Sequence, residues 1–138
     1  MRGCSCEKCK EACTKNPGCP TVEEARALMK AGHGSRLMLH SFISYWLKPP
    51  AKIEVLTPAV LGFEGKRAPK SRFEEQGCCT FLKDGKCEVH YQKPIQCHDY
   101  FGCKDFRITY TEGVLQQMWA KTSAQKLVER WKKERGIE

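Results

Sequence analysis

Ten cysteines in two groups constrain this chain more than any other feature. The first group holds Cys4, Cys6, Cys9, Cys13 and Cys19, and the second holds Cys78, Cys79, Cys87, Cys97 and Cys103. The long stretch between the groups contains no cysteine. A chain of 138 residues suits one domain with a modest apolar core. We therefore expect a single domain, residues 1–138, that is stabilised by disulfides or by bound metal.

The cysteines could form disulfides or bind metal, and the cellular compartment decides which is favoured. An even number of cysteines permits a disulfide framework. However, no apolar stretch follows Met1 as it would in a secretory signal peptide, and no segment approaches the roughly 18 apolar residues of a membrane span. We therefore expect a cytoplasmic protein without a membrane partner. In a reducing cytosol, metal binding is favoured over disulfide formation.

The first cysteine group opens in the stretch GCSCEKCKEAC. Cys6 and Cys9 are separated by two residues, so both sulfurs could reach one ion, and Cys13 follows one helical turn later. Zinc prefers four ligands in a tetrahedron, and iron–sulfur clusters also take thiolates at such spacings. A redox-active pair of Cys6 and Cys9 is the alternative, but the βαβ pattern of a thioredoxin-like fold is missing.

The second group predicts a hairpin with a cysteine on each arm. Cys79 and Cys87 flank a short segment that contains Asp84-Gly85, a strong tight-turn signal. Cys97 and Cys103 follow on a short helix or turn. Neither group is a self-contained finger of four ligands, and about sixty residues divide the groups. We therefore predict that residues 4–19 and 78–103 converge on one or two metal sites that join the two halves of the domain.

The residues around this hairpin match a longer pattern. They are Cys79-Thr80-Phe81-Leu82, Gly85, Cys87, Val89, Tyr91, Lys93-Pro94, Cys97 and Tyr100. The pattern resembles the YkgJ-like CxxCxxCC zinc- or iron-chelating domain family, in which an N-terminal cysteine motif precedes such a stretch. The resemblance covers roughly residues 4–32 and 77–103. It implies a metal site but no particular reaction.

The resemblance orders the candidate ligands. In the first half, Cys6, Cys9 and Cys13 match the family motif, whereas Ala12 stands where another cysteine is expected. In the second half, Cys79, Cys87 and Cys97 match the family stretch. Cys4 or Cys19 could replace the ligand that is missing at Ala12, and the further candidates are Cys78, Cys103 and His98. Cys79 fills the family position, so Cys78 is the expected spectator. Zinc is favoured as the cofactor because no electron-transfer motif accompanies the cysteines, and iron or an iron–sulfur cluster is the alternative.

The cysteine-free stretch predicts two helices and a strand. Thr21 and Glu24 form a capping box for a first helix, and Gly32 can supply a left-handed stop. The apolar segment 35–47 predicts a second helix, which Pro49-Pro50 would end. A short strand is expected from Ile53 to Leu56, and the basic segment 66–72 resembles an exposed loop. His40 is expected to be a satisfied interior histidine.

The tail from about 113 to 135 predicts an amphipathic helix, which Ser123 could divide in two. Its expected buried stripe consists of Val114, Leu115, Met118, Trp119, Leu127, Val128 and Trp131. Trp46 is also interpreted as a packing residue. The predicted fold class is small α+β, mostly α: an irregular, cysteine-rich, metal-stapled domain with one short hairpin and a C-terminal amphipathic helix.

The net charge of +8 and the sequence pI of about 9.0 allow a second function. A metal-stapled accessory protein could bind nucleic acid or a protein assembly through the 66–72 loop and the basic C-terminal helix. An enzyme would need an open position on a bound metal, because no glycine-rich cofactor loop and no Ser–His–Asp set is present. We predict no catalytic residue.

Overall fold

A computed structural model describes residues 19–70, 75–83, 86–87 and 112–137. In chain order its regular elements are α1 (Val22–Leu28), β1 (Leu37–Ser44), β2 (Ala51–Pro58), β3 (Leu82–Lys83), β4 (Lys86–Cys87), α2 (Glu112–Trp119) and α3 (Thr122–Arg135). This is a small α+β fold, as the sequence predicts. Within the described ranges no helix is long and apolar enough to cross a membrane.

Helix α1 begins where its capping box predicts. The amide of Glu24 donates to the Thr21 hydroxyl at 3.1 Å, and the amide of Thr21 donates to the Glu24 carboxylate at 2.8 Å. These two bonds satisfy donors that would otherwise be open at the helix start. After α1, a wide helical turn, Met29–His33, contains Gly32 with φ of 94°. The expected left-handed stop is therefore present, and a single 3-10 turn, Gly34–Arg36, leads into β1.

The prediction of a helix over residues 35–47 is wrong, because Leu37–Ser44 is strand β1. It pairs antiparallel with β2 along its whole length, from Leu37 opposite Pro58 to Ser44 opposite Ala51. The predicted strand at Ile53 to Leu56 lies within β2 and is confirmed. The fold thus contains a long hairpin in addition to the short one that was expected.

Residues 37–40 of β1 are buried on both faces of the hairpin, which explains why this part of the sequence does not alternate. Leu37 and Leu39 belong to the main buried cluster, whereas Met38 packs with Ala59 and Val60 in a second one. The segment after β2 returns along β1, since the Leu39 amide donates to the Lys66 carbonyl at 3.0 Å and the Ala68 amide donates to the Leu39 carbonyl at 2.8 Å. A continuous apolar run is typical of a strand that is buried on both faces, and it cannot be told from a helix by period alone.

The predicted short hairpin is confirmed as β3 and β4, in which Leu82 lies opposite Cys87. The tail is also helical as predicted, and it is divided between α2 and α3 close to Ser123. Helix α3 attaches to β2 through Lys132, whose ammonium lies 3.1 Å from the Glu54 carboxylate. The Gln125 amide reinforces this contact by donating to the Glu54 carbonyl at 3.0 Å.

The main buried cluster lies where α2 and α3 pack on the long hairpin and α1. Trp119 and Trp131 are fully buried in it, as expected. Two residues of the predicted core are instead exposed: Val114 is 43% exposed and Trp46 is 55% exposed. Trp46 lies in the connection between β1 and β2, where its ring packs on Gly113 so closely that a side chain there would clash. Val114 and Trp46 therefore form a partly exposed apolar edge.

Candidate metal centre

The candidate centre is built from the two cysteine groups, and the structure describes part of each. Six of the predicted ligands, together with His98, lie outside the described residues: Cys4, Cys6, Cys9, Cys13, Cys97 and Cys103. Cys19, Cys78 and Cys79 are described with their side chains, and Cys87 is placed by its backbone in β4. The geometry of the centre can thus be followed from Cys19 and from Cys79.

Cys19 lies two residues before Thr21, the N-cap of α1, and is 2% exposed. Its Sγ is 3.5 Å from the Pro20 carbonyl oxygen. The same carbonyl accepts a hydrogen bond from Trp119 Nε1 at 2.9 Å, which connects positions 99 residues apart. A buried carbonyl without a donor would cost about 1–3 kcal/mol, so this bond holds the Cys19 backbone against α2.

Cys79 is 5% exposed, and its backbone forms a bridge with Val60 just after β2. The neighbouring amides complete the ladder, because Leu61 donates to the Cys78 carbonyl at 2.9 Å and Thr80 donates to the Ala59 carbonyl at 2.8 Å. Adjacent residues of an extended segment point to opposite faces. This explains why Cys79 is buried while Cys78 stays partly exposed, with its Sγ 3.8 Å from the Cys79 carbonyl.

The two buried sulfurs belong to one buried cluster, which also contains Phe81. Cys19 comes from the first group and Cys79 from the second, sixty positions later. The fold therefore brings one member of each group into the same core. The bland interpretation is that both act only as small hydrophobic side chains, as buried cysteines often do.

Three polar residues hold the backbone that carries Cys79. Arg36 donates through Nη2 to the Thr80 carbonyl at 2.9 Å, and the Thr80 hydroxyl donates to the Glu64 carboxylate at 2.8 Å. The Arg36 guanidinium also lies 4.3 Å from the centre of the Phe81 ring. His33 packs on the same ring edge-on, with 5.4 Å between ring centres. Phe81, two positions after Cys79, is thus held by contacts with Arg36 and His33.

Glu64 is the one carboxylate of this group, and its charge is stabilised. Burial acts to raise its pKa, but hydrogen bonds from its own backbone, from the Thr80 hydroxyl and from the Gly62 amide, together with the charge of Arg36, leave the pKa lowered. The group stays ionised at neutral pH and keeps its contact with Thr80. Neither Glu64 nor Arg36 was singled out from the sequence, because both lie in irregular segments without a motif.

The described residues do not complete a metal site by themselves. No group of three or more Cys, His, Asp or Glu side chains that could hold an ion occurs among them. A closed zinc site needs four ligands, so any ion near Cys19 or Cys79 would need further ligands from the stretches that hold the other cysteines. The donor types fit zinc or an iron–sulfur cluster, since both accept thiolates.

Compared with known proteins, the chain matches no family model, no curated protein and no solved structure. The resemblance to the CxxCxxCC family therefore remains a prediction from the sequence.

Proposed function

We propose that this chain is a small metal-binding protein in which the two cysteine groups, within residues 4–19 and 78–103, complete one or two shared metal sites. The observation that supports the proposal is the presence of Cys19 and Cys79 in one buried cluster. Two stretches that are sixty positions apart would be joined there by an ion as well as by packing. The role of the metal is structural, with zinc favoured and an iron–sulfur cluster as the alternative.

The residues around the cysteines would prepare such a site before an ion arrives. Trp119 holds the carbonyl next to Cys19, while Arg36 and Glu64 hold Thr80 next to Cys79. Strands β3 and β4 pair antiparallel, with Cys87 opposite Leu82. Zinc would supply four strong bonds to thiolates, and residues that orient metal ligands tighten binding by restricting their motion.

Elemental analysis of the full-length protein, purified without oxygen, tests the proposal. We expect at least about one zinc per chain and a colourless solution, whereas a brown solution that contains iron would select the cluster alternative. Protein that is folded and free of both metals would contradict metal binding.

Cys78 and Cys79 offer a matched pair of variants for the same measurement. Cys79→Ser should lower the bound metal, because Cys79 fills the family position and shares a buried cluster with Cys19 of the first group. Cys78→Ser should leave the bound metal unchanged, since its side chain lies on the opposite face of the segment. Cys79→Ala separates coordination from packing: metal loss in a variant that stays folded would exclude the bland interpretation. The reverse pattern would show that the predicted register is displaced by one residue.

A second candidate function, binding to nucleic acid, is favoured by one observation. The exposed Lys66 and Arg67 line a cleft of about 710 Å³ together with Arg135 of α3. Two basic regions that are distant in sequence thus meet on one surface, although Glu64 and Glu134 line it as well. Affinity for single-stranded or duplex nucleic acid should then fall steeply as salt is added. Undetectable binding at low salt would remove this candidate.

A further inference from the structure

A second cleft, between the end of α1 and the last turns of α3, is strongly cationic. Its volume is about 550 Å³, within the range of small-ligand sites. Four cationic side chains and one carboxylate line it: Arg26, Lys30, Arg130, Arg135 and Glu134. Gly32, Gly34, Ser35 and Met29 complete the lining. The cleft thus combines a size suited to a small molecule with a clear excess of positive charge.

Among the cations of this cleft, Arg135 packs against both Trp131 and Gly65. Its guanidinium lies 5.4 Å from the centre of the Trp131 ring, and its Cγ and Cδ pack beside Gly65. A Cβ at position 34 would lie 3.1 Å from its Nη2, so the guanidinium approaches the Gly34 backbone closely. Trp131 in turn donates to the Gly34 carbonyl at 2.7 Å. The stem and the head of Arg135 are therefore both held in place.

Most of the hydrogen-bonding capacity of Arg135 is unused within the described part of the chain. Its Nε is buried there without an acceptor, and Nη1 has only the exposed Glu134 carboxylate at 3.4 Å. A guanidinium carries five donors in a planar fork that matches the oxygens of a phosphate or carboxylate. The side chain is 20% exposed, so it can be reached from the cleft.

The neighbouring cations are also weakly compensated. Lys30 and Arg130 have no ion-pair partner among the described residues, and Arg26 pairs with the exposed Glu23 at 2.6 Å. Cations near helix ends often offset the negative end of the helix dipole, and Arg26 lies in the last turn of α1. Arg130, however, lies more than one turn before the end of α3 at Arg135. The helix dipole does not explain why cations from two different helices surround the same cleft, where they repel each other. A multivalent anion in the cleft would remove the repulsion.

We infer that the cleft between α1 and α3 binds a small phosphate-bearing anion, with Arg135 as its anchor and Lys30 and Arg130 as supporting charges. This site is independent of the proposed metal centre, since none of its lining residues is a candidate metal ligand. A phosphate group could come from a small phosphorylated molecule or from the backbone of a nucleic acid. The two sources share one chemistry, and separate arms of the experiment distinguish them.

Inorganic phosphate, titrated into the full-length protein at constant ionic strength, is the first probe. Calorimetry should show saturable binding, and Arg135→Gln should weaken it by about tenfold or more, because a charged hydrogen-bond partner is lost. Lys133→Gln is the matched control, since it removes one positive charge from the same helix turn but does not line this cleft. The control should change the affinity by about twofold or less. Metal content is measured before and after each titration, so that metal removal is not mistaken for binding.

A second variant and a second probe keep the inference open to refutation. Lys30 is exposed and makes no packing contact that the fold requires, so Lys30→Gln should stay folded and still weaken phosphate binding by about threefold or more. No phosphate binding at about 10 mM, or equal losses in Arg135→Gln and Lys133→Gln, would overturn the site. Binding of a single-stranded oligonucleotide without any binding of phosphate would also overturn it, and would assign the charge to a nucleic-acid surface instead.

Discussion

Trp119 and Trp131 make the same kind of hydrogen bond, one at each end of the segment from Pro20 to Gly34. Trp119 donates its indole N–H to the Pro20 carbonyl, and Trp131 donates its indole N–H to the Gly34 carbonyl. Between them lie α1 and the wide turn that follows it. Both indoles are fully buried and both bonds span nearly the whole described chain. The C-terminal helices thus hold the N-terminal segment at two points.

The surroundings of the two anchors differ in chemistry. At the Trp119 end, the Sγ of the buried Cys19 lies 3.5 Å from the shared carbonyl, and Gln125 donates to the Trp119 carbonyl at 2.6 Å. At the Trp131 end the guanidinium of Arg135 lies over the ring, and a cationic cleft opens beside it. One packing device therefore supports a thiol region suited to a soft metal and a cationic region suited to an anion. The comparison indicates that the two regions can be altered separately.

Metal removal should give the largest effect, and it should act through the thiol end. If an ion joins the two cysteine groups, its binding energy is folding energy, on the order of 10 kcal/mol for a structural zinc site. Strong chelation should then abolish most of the helical circular dichroism signal. Full retention of that signal after verified metal removal would mean that the anchors and the core suffice without an ion.

Replacing each tryptophan with phenylalanine should lower the free energy of unfolding by a different amount at each anchor. Trp119→Phe leaves the buried Pro20 carbonyl without its indole donor, so the free energy of unfolding should fall by about 1–3 kcal/mol. Trp131→Phe should cost less, because Gly34 is partly exposed and water can replace the donor. Urea unfolding measures both.

Metal retention and phosphate affinity should each change in only one of these two variants. Trp119→Phe should lose metal to a chelator faster than the wild type while phosphate affinity is kept. Trp131→Phe should weaken phosphate binding while metal retention is kept. If each variant changed both readouts equally, the two ends would form one coupled unit and the comparison would fail.

Two alanine substitutions in the turn between the anchors should sharpen this result. Gly32→Ala forces a Cβ into a backbone with φ of 94°, which should cost about 1–2 kcal/mol of stability. Gly34→Ala keeps a right-handed helical backbone, but its Cβ would lie 3.1 Å from Arg135 Nη2. It should therefore lower phosphate affinity with little change in thermal midpoint. An unchanged affinity in Gly34→Ala would show that the position of the Arg135 head does not matter.

Glu64 should give the smallest effect, and it is pH-dependent. The pKa of Glu64 is lowered in the folded protein, so its contacts stabilise the fold above the pKa of the unfolded chain. That contribution is lost as pH falls through the folded pKa. Wild type should exceed Glu64→Gln in thermal midpoint at neutral pH, and the difference should vanish on acidification below the ordinary glutamate range. A difference that stays constant to low pH would assign it to packing alone.

The parts of the fold that the sequence predicted are local. The capping box of α1 and the pairing of β3 with β4 depend on residues a few positions apart, and both are present. The turn predicted at Asp84-Gly85 lies outside the described residues. The helix predicted at residues 35–47 failed because residues 37–40 of β1 are buried on both faces, so the apolar run there carries no alternation. The tryptophan anchors were not predictable, since each connects residues nearly a hundred positions apart without a motif.

The candidate sites also combine features that the sequence predicts with features that depend on tertiary packing. The spacing of the cysteines led to the hypothesis of convergence, and one member of each group lies in the shared core. The charge of the basic tail indicated an anionic partner, but the cleft that gathers Arg26 and Lys30 with Arg135 depends on how α1 meets α3. The support that Arg36 and Glu64 give to Thr80 likewise depends on tertiary packing.

The most direct test of the shared metal site is the metal content of two full-length variants, one from each cysteine group. Cys9→Ser and Cys79→Ser are purified without oxygen beside the wild type and the Cys78→Ser control, and zinc and iron are measured per folded chain. If the groups complete one site, either variant should lose the same ion and the double variant should lose no more than either single one. Independent losses that add in the double variant, or no loss in Cys79→Ser, would contradict the account.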